Sequence, residues 1–407
     1  MSEWKRYKLG ELLRVKHGWA FKGEFFSDTG VQSILTPGNF YESGGFKANP
    51  SKDRFYSGDY PKEYLCSKGD LVVAMTEQAA GLLGSTAIVP EDNRYLHNQR
   101  IGLISCNESL NKDFAYYLFM TQSVRQQISR SASGTKVKHT SPEKIYDVQV
   151  DIPKIQTQKN IAIFLSILDK KIQINNQINQ ELEDMAKTLY DYWFVQFDFP
   201  DQNGKPYKSS GGKMVYNPEL KREIPEGWGV EKLGDITICH DSKRVPLSSN
   251  DRELVKGEIP YYGATGIMDY VNDYIFDGDY VLMAEDGSVM TEKGTPILQR
   301  ISGKNWVNNH AHVLEPIKNH SCKLLMMLLK DVSVMKIKTG SIQMKINQEN
   351  MNKIVVPAIP LELLFEINQK LEVIDKQQLN LIEENKQLTQ LRDWLLPMLM
   401  NGQVKVE

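Results

Sequence analysis

Residues 155–198 read IQTQKNIAIFLSILDKKIQINNQINQELEDMAKTLYDYWFVQFD, and this stretch decides the fold because a second copy of it closes the chain. Core positions recur in alternating steps of four and three, the spacing that predicts the seam of a long coiled-coil helix. The first series is Ile161, Leu165, Leu168, Ile172, Asn175, Asn179, Leu182, Ala186, Leu189 and Trp193. It returns 206 residues later as Ile367, Leu371, Ile374, Gln378, Leu381, Asn385, Leu388, Arg392, Leu395 and Leu399.

These positions are the predicted helix-pairing residues. A lone seam of Ile and Leu is unstable in water, so each helix needs a partner, and the other copy is the nearest one. A pseudo-twofold axis would make the pair antiparallel and place Asn175 near Asn385 and Asn179 near Leu381. At ~1.5 Å per residue the paired heptads would be about 50 Å long. This length corresponds to about fourteen or fifteen base pairs of duplex DNA.

The sequence before each long helix also repeats. Trp4, Leu9 and Gly10 return as Trp228, Leu233 and Gly234, and a Gly-Asp turn before a buried strand occurs in both halves. Each half shows strands, a helix, a loop centred on Gly134 or Gly340, a short strand and then the long helix. Because a repeat changes the whole fold assignment, we predict the α+β class: two globular α/β domains separated by a pair of long antiparallel coiled-coil helices.

The predicted segments are 1–150 and 228–353 for the globular domains, 151–198 and 354–407 for the helices, and 199–227 for a connector. The connector is rich in turn-forming residues and is expected to contribute little to a core. Pro397 is expected to kink or end the second helix, with Gly402 beyond its end.

Composition is that of a globular protein, with 407 residues, 41% hydrophobic and 25% charged. This length is sufficient for two or more domains with cores of their own. Four cysteines without a CxxC pair indicate reduced thiols, and the N-terminus shows no secretory signal, so we expect a cytoplasmic protein without a membrane segment. The net charge of −2 gives no general attraction to nucleic acid, so DNA binding would depend on local patches.

Motifs for catalysis are missing from the sequence. It has no P-loop, no glycine-rich turn for a dinucleotide or methyl donor, and no Asn/Asp-Pro-Pro-aromatic motif of an adenine methyltransferase. His310-Ala311-His312 has no acidic or cysteine ligand close by in sequence, so no metal site is predicted. We expect a protein that is not an enzyme and needs no cofactor.

Local charge points to DNA. Residues 122–140 and their repeat 332–348 contain basic residues, glycine and serine but no acidic residue. Such loops suit phosphate contact, while amide and guanidinium groups can read base edges. The candidate DNA-binding residues are Lys16, His17, Lys22, Gln78, Asn98, Arg100, Arg130, Lys136, Lys138, Lys243, Arg244, His310, His312, Lys336, Lys338, Gln343 and Lys345.

Several short motifs resemble those of one family. They are Ile224-Pro225-Glu226-Gly227-Trp228 with Leu233-Gly234-Asp235, Asp198-Phe199-Pro200 through Gly204-Lys205-Pro206-Tyr207, Gly134-Thr135 and Gly340-Ser341, and the prolines Pro153 and Pro360 before the long helices. With this combination the chain resembles the specificity subunit of type I restriction-modification enzymes over nearly its whole length.

The resemblance implies two target recognition domains, each reading one half of a bipartite site in double-stranded DNA. It also implies that the two helices set the spacing and dock two methylation subunits, through which restriction subunits join. The family's glutamine after the proline matches Gln156 and Gln158 in the first repeat, whereas the second has Leu361-Glu362-Leu363-Leu364.

Two other interpretations stay open at this point. A coiled-coil scaffold without DNA contact would explain the helices but not the duplicated basic loops. A fused nuclease-methyltransferase would need the methylation motif that the sequence lacks.

Overall fold

The computed structural model describes residues 4–48, 53–134, 137–340 and 344–406. The chain forms two compact units: unit 1 is Met1–Asn175 with Glu384–Glu407, and unit 2 is Asn176–Glu383. Both units combine helices with sheets whose strands pair mostly antiparallel, which confirms the α+β class.

Unit 1 begins with a short strand and contains the first part of one long helix and the last part of the other. Its elements are β1 (Lys5–Lys8), α1 (Leu9–Leu12), β2 (Leu13–His17), β3 (Phe26–Ser27), β4 (Ser33–Ile34), β5 (Phe55–Tyr56), β6 (Leu71–Ala74), β7 (Thr86–Ile88), β8 (Tyr95–Leu96), β9 (Ile101–Cys106), α2 (Lys112–Met120), α3 (Gln122–Ser131), α4 (Pro142–Tyr146), β10 (Gln149–Ile152) and α5 (Ile155–Tyr190). The last residues of α5, from Asn176 onward, belong to unit 2.

In unit 2, α5 is followed by a π-helical turn at Asp191–Val195. Its elements are β11 (Met214–Asn217), β12 (Arg222–Pro225), β13 (Gly229–Lys232), α6 (Leu233–Ile236), β14 (Thr237–Cys239), α7 (Ser249–Leu254), β15 (Lys256–Tyr262), β16 (Ile267–Val271), β17 (Phe276–Asp277), β18 (Tyr280–Ala284), β19 (Leu298–Ile301), β20 (Lys304–Val307), β21 (Ala311–Pro316), α8 (Cys322–Leu329), α9 (Gln348–Asn352), β22 (Val355–Ala358) and α10 (Leu361–Met400). From Glu384 onward, α10 belongs to unit 1.

The two units share the topology of their central sheet. The central sheet has the order β2-β9-β6-β7 in unit 1 and β14-β21-β18-β19 in unit 2. A two-stranded sheet, β1-β10 or β13-β22, leads into each long helix, and each unit has a second four-stranded sheet. Unit 2 also contains the two-stranded sheet β11-β12. The internal repeat predicted from the sequence is therefore present in the fold.

Local sequence explains where the helices begin. The side chain of Asn111 accepts a hydrogen bond from the backbone N–H of Phe114 at the start of α2, and Ser321 does the same for Leu324 at α8. These caps satisfy N–H groups that the first turn leaves without partners. Pro360 stands directly before α10, where its missing N–H costs no helical hydrogen bond.

The long helices pack antiparallel within each unit. In unit 1, Asn175 Nδ2 donates to Asn385 Oδ1 at 2.9 Å and Arg392 Nη1 donates to Asp169 Oδ1 at 2.9 Å. Chain numbers rise along one helix as they fall along the other, as expected for an antiparallel pair. In unit 2, Gln378 Nε2 donates to the backbone oxygen of Asn179 at 3.1 Å.

The predicted pairing residues differ in burial. Those that are buried are Ile161, Leu165, Leu168, Asn175, Leu182, Ile367, Leu371 and Ile374, while Ile172, Asn179, Leu189, Leu381, Asn385, Leu388 and Leu395 are half-buried. Near the end of α10 the buried residue is Leu396, at 8% exposure, rather than Leu395. Both are leucines, and Leu396 joins the unit 1 core together with Leu399 and Met400. The seam therefore shifts by one residue there.

Pro397 lies inside the second helix, which continues to Met400, so of the expected kink or end the end is not observed. Gly402 follows it with φ +78°, and the N–H of Gln403 donates to Met398 O at 2.9 Å, which satisfies a terminal carbonyl. The connector is not poor in core residues, because Phe199 and Ile224 are 6% and 1% exposed and belong to the unit 2 core.

Within the described residues, no helix is both long and apolar enough to cross a membrane.

Candidate nucleic-acid interface

In unit 1 the end of β6 brings predicted DNA-binding residues from three parts of the chain together. The N–H of Met75 donates to Arg100 O at 2.9 Å, and the N–H of Glu77 donates to Lys138 O at 2.9 Å. Gln78 follows directly, and its side chain is exposed, as are those of Arg100 and Lys138. These three residues form the unit 1 basic surface.

Unit 2 has the same arrangement at the end of β18. The N–H of Glu285 donates to His310 O at 2.9 Å, and the N–H of Ile346 donates to Glu285 O at 2.8 Å. His310 and Lys345 are thereby brought to the same place, and both are exposed. These two residues form the unit 2 basic surface.

The glycine-containing loops close in the same way in both units. Ser133 and His139 exchange backbone hydrogen bonds of 2.9 and 2.8 Å, and Thr339 and Lys345 exchange bonds of 2.7 and 3.0 Å. Gly134 has φ +104°, and a Cβ there would lie 2.2 Å from Val137 O, so the turn requires glycine. Of the predicted loop residues, Lys136 and Gln343 lie outside the described residues.

Comparison of the loops identifies His139, a residue that the sequence analysis missed. It stands 206 residues before Lys345, the same shift that relates the two heptad series. Its side chain is exposed, and its Nδ1 lies 3.1 Å from Thr76 Oγ1. The heptad shift, applied to the loops residue by residue, would have found it.

Acidic residues hold the basic side chains of these surfaces. Lys345 Nζ lies 2.9 Å from Glu285 Oε1, His310 Nδ1 lies 2.5 Å from Asp286 Oδ1, and Lys138 Nζ lies 3.9 Å from Glu77 Oε2. The hydrogen bond to Glu285 raises the pKa of Lys345. Burial alone would raise the pKa of Glu285, but hydrogen bonds from Lys345 and Arg244 outweigh it and the pKa is lowered. Lys345 therefore stays positively charged and is oriented by a partner.

Arg244 and His312 do not belong to the exposed surface, contrary to the sequence prediction. The Arg244 side chain is 11% exposed, and its Nη1 donates to Glu285 Oε2 and to Ala311 O, both at 2.7 Å. His312 is 1% exposed, with Nδ1 bonded to Asp241 and Nε2 donating to Ile346 O at 2.8 Å. Both side chains are occupied inside unit 2 and have no surface to offer DNA.

This cluster of Asp241, Arg244, Glu285 and His312, the buried ionic cluster, includes potential metal ligands. Ligand atoms of Cys239, Asp241 and His312 lie within 4.8 Å of one another, so acidic and thiol groups do surround the histidine in space. Arg244 Nη2 already stands 3.2 Å from Asp241 Oδ2. Both ring nitrogens of His312 face oxygen atoms, Asp241 Oδ2 and the backbone oxygen of Ile346. The guanidinium of Arg244 supplies positive charge between the carboxylates of Asp241 and Glu285.

The asparagines preceding β9 and β21 have a structural role in both units. Asn98 Oδ1 accepts from the N–H of Arg100 at 3.2 Å, and Asn308 Oδ1 accepts from the N–H of His310 at 2.8 Å. Each side chain shapes the turn that presents the next basic residue. Asn98 is half-buried, so the structure gives it a positioning contact rather than an open face.

The remaining predicted residues are distributed over other elements. Lys16 Nζ lies 4.3 Å from the centre of the Tyr64 ring, and Lys22 is within 4.0 Å of Glu24. His17 ends β2 and pairs with Gly102 at the start of β9. The others are Arg130 in the last turn of α3, Lys243 and Lys336 at the ends of short 3-10 helices, and the half-buried Lys338.

Both halves of the chain thus repeat one α+β fold, and in each half the end of a strand brings exposed basic residues together. The chain matches the family model described as type I restriction modification DNA specificity domain twice, over residues 1–184 and 225–390, and belongs to this family. As a specificity protein it is a DNA-recognition component of a restriction-modification system and not an enzyme.

Relatives agree with this assignment, and one solved structure shares the fold. The MjaIX specificity subunit of Methanocaldococcus jannaschii is 24% identical over 331 residues, covering 76% of this chain and 73% of the relative. The HindI specificity subunit of Haemophilus influenzae is 23% identical over 477 residues, covering 99% and 100%. The crystal structure of a type I S subunit from M. genitalium has a TM-score of 0.55 at 17% identity, covering 98% and 96%, and shows the shared fold.

Proposed function

We propose that each unit binds one part of a bipartite site in double-stranded DNA, using the basic surfaces at the ends of β6 and β18. The observation that carries this proposal is the repetition of one local arrangement. In both units a strand end, an asparagine turn and a glycine-containing loop bring basic residues to one place. Exposed cations next to backbone turns are typical of phosphate contact.

We further propose that α5 and α10 set the spacing between the two half-sites and dock two methylation subunits, through which restriction subunits join. The division into recognition domains 1–150 and 228–353, helices 151–198 and 354–407, and linker 199–227 belongs to the same proposal. Antiparallel pairing held by Asn175 and Asn385 supports it, because a polar pair in a seam fixes register.

The test of spacing is a paired deletion of one heptad from each helix, residues 176–182 and 378–384, which keeps both seams in register. Each helix shortens by about 10 Å, so the gap between half-sites should shrink by about three base pairs while the half-sites stay the same. The methylated motif in cells carrying the variant with its partner subunits reports both quantities. An intact chain with Gln177→Ala and Gln180→Ala at exposed positions is the control. An unchanged gap in the deletion variant contradicts the proposal.

The test of phosphate contact is Lys345→Ala, together with Lys136→Ala in the first loop. We expect weaker binding to specific and unrelated DNA alike, with the slope of log affinity against log salt reduced by about one for each lysine. Lys353→Ala is the matched control, since Lys353 is an exposed, ion-paired lysine directly after α9. Loss of discrimination at a single base pair would instead make the substituted lysine a base reader.

A further inference from the structure

The connector forms a groove in unit 2 that DNA binding does not explain. It has a volume of about 670 Å³ and lies between the connector, the start of β13 and the first turns of α10. Among its lining residues are Phe199, Tyr207 and Trp228. We call it the connector groove.

Stacked aromatic rings form one wall of the connector groove. The ring of Phe199 lies between two others, 4.8 Å from the Tyr207 centroid at an interplanar angle of 17° and 5.2 Å from Trp228 at 20°. Phe199 is 6% exposed, while Tyr207 and Trp228 are half-buried and present part of their rings to the groove. A ring face carries negative electrostatic potential and attracts cations.

The charged residues that line the groove are all acidic: Asp201, Glu226, Glu362 and Glu366. Two of them have a cation beside them, Lys213 at 2.6 Å from Glu226 and Lys370 at 3.8 Å from Glu366. With these two lysines included, the net charge of the groove is still negative. A DNA phosphate would be repelled there, so this surface is separate in kind from the basic surfaces of the proposed DNA interface.

Unit 1 has a different cleft at the corresponding helix entry. It is lined by Lys5, Tyr7, Glu108, Pro153 and Lys154, with two lysines against one carboxylate. The aromatic stack and the acidic lining therefore belong to the connector and to unit 2. A partner that recognises them would therefore bind at the helix entry of unit 2 and not at that of unit 1.

We propose that the connector groove binds an arginine side chain on a segment of the methylation subunit. A guanidinium is planar, so it can stack on the Trp228 or Tyr207 ring while its N–H groups donate to the carboxylates of Glu362 and Glu366. A lysine ammonium has the charge but not the plane that matches a ring. The identity of the partner rests on the proposed function, whereas the chemistry of the site rests on its rings and carboxylates.

The experiment measures the affinity of the purified methylation subunit for the full chain carrying Glu362→Gln and Glu366→Gln. Both substitutions keep side-chain size and remove charge at exposed or half-exposed positions, and circular dichroism checks the fold. We expect affinity to fall tenfold or more and its salt dependence to decrease. Glu372→Gln is the matched control, because Glu372 also lies on α10 and pairs with a lysine four residues on, outside the groove. Its effect should stay within twofold.

An arginine scan of the methylation subunit identifies the occupant. One Arg→Lys substitution should weaken the wild-type complex by a similar factor and add little to the double glutamine variant, since both remove the same contact. Unchanged affinity of the glutamine variant overturns the proposal. It is also overturned if a lysine of the methylation subunit, and not an arginine, is coupled to the two glutamates, or if the glutamine substitutions change self-association of the chain alone. These outcomes are distinct from failure of the proposed function, which is read separately as loss of sequence-specific DNA binding by the wild-type complex.

Discussion

Beneath the two basic surfaces, one position of the shared fold is occupied by a charged side chain in unit 2 and by an apolar side chain in unit 1. Glu285 in unit 2 and Met75 in unit 1 occupy equivalent places, because the N–H of each donates to the backbone oxygen of the residue before β21 or β9. In unit 2 Glu285 contacts Arg244 in the buried ionic cluster. In unit 1 the space next to Gly102 is filled by Val15 and Met75, which a Cβ on Gly102 would meet at 2.5 and 2.9 Å.

The shared strand order therefore does not depend on the buried ionic cluster of unit 2. An apolar filling supports the same strand order and the same loop closure in unit 1. In unit 2 the buried ionic cluster connects the core to the surface, because Glu285 accepts hydrogen bonds from the buried Arg244 on one side and from the exposed Lys345 on the other. The core of unit 2 is therefore tied directly to a residue of the proposed DNA surface. Partly for this reason, changes in the unit 2 cluster should be felt at that surface.

Arg244→Met should give the largest effect on stability. It leaves the carboxylates of Asp241 and Glu285 buried without the guanidinium, and removing one partner of a buried ion pair costs about 3–5 kcal/mol. Urea unfolding, monitored by hydrogen exchange in unit 2, measures the loss of unfolding free energy. Met75→Leu, at the unit 1 position equivalent to Glu285, is the control and should cost less than about 1.5 kcal/mol. Equal losses at both sites would remove the contrast between the units.

His97 should make the stability of unit 1 depend on pH. It is 1% exposed, and burial lowers its pKa to about 4. The folded state therefore favours the neutral ring, so this contribution is complete above the unfolded pKa of about 6.5. It declines as pH falls toward 4, by a total of about 3 kcal/mol. Unfolding free energies at pH 7 and pH 5, compared between the wild type and a variant, measure the slope.

The variant for this comparison is His97→Val, because unit 2 has a valine in the same place. His97 and Val307 each precede the asparagine of the turn before the central strand, and Val307 is 0% exposed. The substitution should remove the extra loss of stability between pH 7 and pH 5. A variant as sensitive to pH as the wild type in this range would show that other groups cause the dependence.

Gln158→Leu converts the entry of α5 into that of α10, where Leu364 is buried in the unit 2 core. Gln158 is fully buried; its Oε1 accepts from the N–H of Asn111 at 2.9 Å, and its Nε2 donates to Pro153 O at 2.8 Å. Leaving these groups without partners should cost about 1–3 kcal/mol. Thermal unfolding measures the change. Gln156→Leu, at an exposed position two residues earlier, is the control and should change stability by less than about 0.5 kcal/mol.

Lys345→Gln should have the smallest effect on stability, although it contacts Glu285. The lysine side chain is 49% exposed, and exposed ion pairs contribute about 1 kcal/mol or less. Calorimetry should show a small shift in unfolding temperature, alongside the weaker DNA binding expected of this position. A large loss of stability would mean that Lys345 is part of the buried ionic cluster and not a surface residue connected to it.

The sequence predicted the long helices well because a heptad seam spans many turns and is repeated. The contact of Asn175 with Asn385 followed from the same register. The exchange of Leu395 for Leu396 did not, since Leu395, Leu396, Leu399 and Met400 are all apolar and give two possible seams. Packing against the unit 1 core selects between them.

The burial of Arg244 and His312 was beyond the sequence for a different reason. Their partners lie 41 and 71 positions away, so no local pattern distinguishes a basic residue in an ion-pair cluster from one on a surface. The connector is a similar case. Its turn residues are visible in the sequence, but the stacking of Phe199 between Tyr207 and Trp228 could not be predicted, because these rings meet only in the folded chain.

The division of the long helices between the units has a consequence for how the chain is made. Unit 2 is one continuous segment, Asn176–Glu383, whereas unit 1 includes Glu384–Glu407 as well as Met1–Asn175. Leu396, Leu399 and Met400 complete its core beside Ile161 and Leu165. On the ribosome, the half that is synthesised first is thus the half that finishes last, and a nascent chain released before residue 384 would leave its amino-terminal domain with an uncovered apolar helix.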